Sequence, residues 1–88
     1  MTKYIIDFRK INSLDEAHEE IKNALGFPDY YGKNLDALND CLAEIDRDHL
    51  VYILYYKKVF DGFLDILKVF DDNNINYEKI MEIQETNN

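Results

Sequence analysis

The segment Leu50-Val51-Tyr52-Ile53-Leu54-Tyr55 constrains the fold more than any other part of the chain. It carries no charge, shows no polar/apolar alternation, and is ended by Lys57-Lys58. A short run of apolar, β-branched and aromatic residues suits a strand buried on both faces, and such strands belong to parallel sheets covered by helices. Tyr4-Ile5-Ile6-Asp7-Phe8 repeats the pattern near the N-terminus, and its nearly continuous apolar character predicts the middle position of the sheet. A third strand, roughly Tyr77 to Ile83, mixes Ile80, Met81 and Ile83 with Glu78, Lys79 and Glu82 and reads as a half-exposed edge.

Helical patterns separate the strands. Ser13 is an N-cap with Glu16 three residues on, a capping box in which hydroxyl and carboxylate satisfy orphan N–H groups reciprocally. Leu14, Ala17, Ile21, Ala24 and Leu25 then recur on one helical face, and Gly26 supplies the stop. Asn34 caps a second helix whose apolar stripe is Leu35, Leu38, Leu42 and Ile45. Phe60, Phe63, Leu64, Leu67 and Phe70 mark a third, broken by Asn73-Asn74, and Glu85 to Asn88 reads as a frayed tail. The order β-α-α-β-α-β implies right-handed crossovers. The expectation is an α/β fold, a three-stranded parallel sheet with the first strand central, packed with three or four helices as one domain over residues 1–88.

The formal charge of −8 excludes whole classes of partner. A surface this acidic repels phosphate backbones and anionic headgroups, so nucleic acid and membrane are not expected partners. No apolar run approaches the ~18 residues that span a bilayer. A lone cysteine, Cys41, and an N-terminus running straight into a strand with no apolar leader point to a cytoplasmic protein. His18 and His49 stand far apart without ligand spacing, so no metal and no cofactor are expected. A catalytic reading of Asp36 and Asp40, with a histidine as base, lacks a glycine-rich phosphate loop and a nucleophile beside a base; no enzyme activity is expected. Cys41 falls beside the apolar stripe of the second helix and reads as a small hydrophobe.

The charge has a focus. At 100° per residue, Asp36, Asp40 and Glu44 fall within about 80° of one another on the side opposite the leucine stripe. Like charges at i,i+4 cost an isolated helix roughly 0.2–0.5 kcal/mol per pair, and no basic residue lies among them. Tyr30-Tyr31-Gly32 precedes the helix, with Asp29, Asp46 and Asp48 nearby. Aromatics beside uncompensated carboxylates form interfaces with cationic partners, although solvated acidic faces and half-buried loop tyrosines are common on their own.

The run Pro28-Asp29-Tyr30-Tyr31-Gly32-Lys33-Asn34-Leu35-Asp36-Ala37-Leu38-Asn39-Asp40-Cys41-Leu42 closely resembles the signature of barstar-like ribonuclease inhibitors, Pro-x-Tyr-Tyr-Gly-x-Asn-Leu-Asp-Ala-Leu-x-Asp-Cys-Leu. The resemblance implies a cytoplasmic inhibitor that plugs the cleft of a small basic ribonuclease and does no chemistry; a monomer is expected. By the same resemblance, the residue matching Asp40 takes a phosphate subsite, that matching Asp36 meets another basic side chain, and that matching Tyr30 stacks on a catalytic histidine. Gly32 and Asn34 lie in the contacting loop, and Asp72 on the third helix is a further contact. Asn39 stands where the best-known member has tryptophan, which removes an apolar anchor, and Lys33 puts a positive charge in the loop. Tyr30, Gly32, Asn34, Asp36, Asn39, Asp40, Glu44 and Asp72 are therefore the expected partner-binding residues. An alternative on the same fold is an immunity protein for another nuclease toxin.

Overall fold

A computed structural model describes residues 1–84, and the tail from Glu85 to Asn88 lies outside them. The elements are β1 (Thr2–Asp7), α1 (Leu14–Leu25), α2 (Leu35–Ala43), β2 (His49–Tyr56), α3 (Phe63–Asp72) and β3 (Tyr77–Glu82). Both strand pairings are parallel, with Ile5 opposite Tyr52 and Leu54 opposite Ile80. The strand order is β1-β2-β3, so the second strand occupies the middle, and the expectation that the first would do so is corrected. The reason is legible in the side chains. β1 carries Lys3 and Asp7 and leaves Ile5 exposed, whereas β2 is uncharged from Leu50 to Tyr56 and buries His49, Val51 and Ile53 on its helix-covered face.

Local chemistry sets the helix ends. Ser13 Oγ accepts from Glu16 N at 3.2 Å, while the Glu16 carboxylate reaches back to Asn12 N at 2.8 Å, one residue earlier than a strict capping box requires. Gly26 closes α1 in the left-handed region at φ 71°, where its N–H and that of Phe27 both donate to the Lys22 carbonyl. Asn34 caps α2 through Oδ1, which accepts from Ala37 N at 2.8 Å.

The core gathers Ile6 from β1, Ile21 from α1, Leu38 and Leu42 from α2, Val51 and Ile53 from β2, and Ile66 and Phe70 from α3, all fully buried. Leu64 is the exception to the expected α3 stripe: it is 74% exposed, because Phe63, Ile66, Leu67 and Phe70 already fill the inward face. β3 pairs with β2 alone and presents an exposed outer edge, as its mixed pattern predicts.

Candidate functional site

Because Leu38 and Leu42 are pinned in the core, the opposite side of α2 must face solvent, and Asp36, Asn39 and Asp40 are exposed there. Asp36, Asp40 and Glu44 take part in no ion pair among the described residues. Their mutual repulsion is therefore retained in the free protein. Glu44 lies just past the helix end, as its C-cap, and continues the ridge from there.

The two loop tyrosines part company. Tyr30 is 88% exposed, whereas Tyr31 is buried, its hydroxyl 2.6 Å from Nδ1 of buried His18 and its ring 5.0 Å from that of Phe27. The sequence places both beside the carboxylates without distinguishing them; Tyr31 is the anchor that holds the loop on α1. Burial pushes its phenol well above the ordinary tyrosine range. Tyr30, Asp40 and Glu44 come together around a groove of about 420 Å³ floored by Phe27, Cys41 and Ile45. Burial, with Glu44 and Asp40 nearby, raises the Cys41 thiol, so that side chain is a poor nucleophile and serves as part of the groove floor.

Gly32 and Asn34 shape the loop. Asn34 Nδ2 donates to the Gly32 carbonyl at 3.3 Å while its Oδ1 caps α2, so both ends of the amide are occupied. A Cβ at Gly32 would come into van der Waals contact with Ala37 Cβ and Asn34 Nδ2, each at 3.4 Å. Lys33 adopts a left-handed φ of 51° and its Nζ meets Glu19 Oε2 at 2.8 Å. The hydrogen bond between them lowers the Glu19 carboxyl and raises the Lys33 amine. The loop's positive charge is thus drawn onto α1 rather than over the carboxylates.

Asn39 and Asp72 sit where α2 meets α3. Asn39 Oδ1 accepts from Asn73 Nδ2 at 2.8 Å, which places the end of α3 beside the acidic face. Asp72 is held by Lys68 at 3.0 Å one helical turn back, an exposed pair worth little in stability but enough to mask its charge in part. Sequence reasoning missed Arg47, which bridges the ends of α2 and α3, and the role of His18. The signal for Arg47 was the absence of any basic residue in the last turn of either helix.

His18 gives the loop anchor a pH dependence. Its imidazole is buried, with Nε2 lacking a partner among the described residues; burial is the larger influence and lowers its pKa, Lys33 lowers it further, and Asp15 opposes. A folded-state pKa below the ordinary 6.5 means that the unfolded chain binds the proton more readily. Stability is therefore complete above about pH 6.5 and falls as the pH drops from there towards the folded value. Glu19 and Asp7, also lowered by their cationic partners, lose their contributions only in the more acidic carboxylate range. Thermal midpoints should fall between about pH 7.5 and pH 5.5 for the wild type and hold steady for the double variant His18→Leu/Tyr31→Phe. Parallel pH profiles for the two proteins would remove His18 from this role.

Comparison with known proteins gives two findings. The family model described as Barstar (barnase inhibitor) matches residues 1–83. A Bacillus subtilis (strain 168) protein named "Putative ribonuclease inhibitor YrdF" is 55% identical over 43 residues. That match covers 49% of this chain and 47% of the relative, so it spans about half the length of each.

Proposed function

The chain belongs to the barstar family, and from that premise we propose that it is a non-catalytic inhibitor of a small basic ribonuclease, blocking the active site with α2 and the loop before it. The observation that carries this reading is the conjunction of exposed Tyr30 with Asp36 and Asp40, carboxylates that no ion pair engages among the described residues. A ribonuclease must attract a polyanion, so its cleft is positive. Preformed carboxylates exploit the same field and offer nothing to cleave. Tyr30 supplies rigid apolar area at the edge of the groove that Asp40 lines. In this reading the chain acts as a monomer and a single domain in the cytoplasm, and Asp72 joins the contact only by exchanging Lys68 for a basic group of the enzyme.

A second reading, an immunity protein for a different nuclease toxin, is favoured by Asn39. Its carbonyl oxygen is engaged with Asn73, so the middle of the binding helix offers no apolar anchor and fits a target with a correspondingly polar surface. Titrating the protein into barnase and a panel of other small basic ribonucleases, with residual RNA cleavage as readout, separates the two. Stoichiometric loss of cleavage for at least one ribonuclease is expected. Association with that enzyme should slow by about tenfold or more between low and physiological salt, because the steering charges are exposed and screened. Full cleavage across the panel, or an association rate indifferent to salt, would reject the proposal.

A further inference from the structure

Two helices end at the same place in this fold. α2 stops at Ala43 and α3 at Asp72, and neither carries a basic residue in its last turn. Each C-terminus exposes carbonyls equivalent to about half a negative charge. Glu44, Asp71 and Asp72 adjoin them in sequence, so the convergence is electrostatically unfavourable as built. Arg47 answers both ends. Its Nη2 donates to the Leu42 carbonyl in the last turn of α2 at 3.3 Å, and its Nη1 donates to the carbonyl of Asn73, the cap of α3, at 3.2 Å. One guanidinium is the terminal cation for two helices. A second link lies beside it, where Asn73 Nδ2 donates to Asn39 Oδ1 at 2.8 Å and to the Val69 carbonyl at 2.9 Å.

Beneath this polar clasp Leu38 and Leu42 of α2 and Ile66 and Phe70 of α3 are fully buried in the same apolar core. Apolar packing is strong but non-directional, and it leaves the relative rotation of two short helices weakly specified. Hydrogen bonds with a fixed fork are directional. We infer that Arg47, together with the Asn39–Asn73 bridge, is the positioning device that sets the orientation of α3 against α2 and so holds Asp72 at a fixed offset from Asp36 and Asp40. The consequence for binding rests on the proposed inhibitory function; the geometric part does not. It also gives Asn39 a positive role, since its amide secures the second helix of the face.

The test uses the full chain with Cys41→Ala, and spin labels on cysteines introduced at Asp36 of α2 and Asp65 of α3, both exposed. The parent should give one narrow interhelix distance. Arg47→Gln should broaden or shift it, and Arg47→Lys, which keeps the charge but not the fork, should broaden it too while remaining folded by circular dichroism. In parallel, unlabelled Arg47→Lys should leave barnase about tenfold faster than the unlabelled wild type, the size of one charge-assisted hydrogen bond. An unchanged narrow distance in folded Arg47→Lys overturns the inference whatever barnase does. A broadened distance with an unchanged dissociation rate upholds Arg47 as the residue that orients α3 and overturns the consequence drawn for binding. If the wild type does not bind barnase, the inhibitory assignment to that enzyme fails, and the distance measurement still decides whether Arg47 orients α3.

Discussion

Asp40→Ala should weaken inhibition of the target ribonuclease by at least about thirty-fold, or ~2 kcal/mol, without destabilising the free protein. Asp40 is exposed, and no hydrogen bond or ion pair among the described residues uses its carboxylate, so nothing in the fold depends on it. Its removal relieves repulsion with Asp36 one turn earlier and with Glu44 just beyond the helix, and alanine is the better helix former. The thermal midpoint should therefore hold or rise slightly. Binding moves the other way, because the variant leaves a basic subsite of the enzyme buried without a counter-charge, and the cost of an uncompensated buried charge greatly exceeds that of an exposed one. Inhibition titrations and thermal melts on the same preparations check both halves. Equal inhibition by variant and wild type would show that the acidic face of α2 is a solvated surface.

The parts of this fold legible in the sequence are those decided by neighbours along the chain. Ser13, Gly26 and Asn34 set helix ends through contacts within a few residues, and the leucine spacing of α2 fixed which side its carboxylates face. The middle strand was harder, because both apolar runs suit a buried strand and the discriminating signal, Lys3 and Asp7 against an uncharged β2, is small. Tyr30 and Tyr31 are adjacent in a loop without helical or strand periodicity, so no pattern distinguishes the exposed ring from the one docked on His18. The clasp was out of reach for a different reason: Asn39 and Asn73 are 34 residues apart, Arg47 and Asn73 are 26 apart, and such pairings follow from tertiary packing. The acidic face was legible as composition and helical phase, while its connection to α3 was not.

Phe70→Ala should produce the opposite signature to Asp40→Ala. Phe70 is fully buried, among the largest of the fully buried side chains, and it meets the Tyr77 ring edge-on at 5.7 Å and 88°. Its carbonyl also accepts from Ile75 N at 3.0 Å, so the same residue seats α3 and starts the turn into β3. Truncating a buried phenylalanine costs about 3–5 kcal/mol in lost transfer energy and cavity formation, against a total of roughly 5–15 kcal/mol for a domain. At about 4–8 °C per kcal/mol for a chain of this size, the thermal midpoint should drop by at least ~12 °C. No partner-facing side chain is altered, so the molecules that stay folded should associate with the ribonuclease at the wild-type rate, and apparent inhibition should recover at low temperature. Asp40→Ala admits no such recovery, since its defect lies in the complex and not in the fold. Measuring inhibition of the two variants at about 5 °C and 37 °C therefore separates residues that build the platform from residues that use it. A Phe70→Ala protein that melts within a degree or two of wild type would mean that α3 does not depend on this contact for its seat in the core.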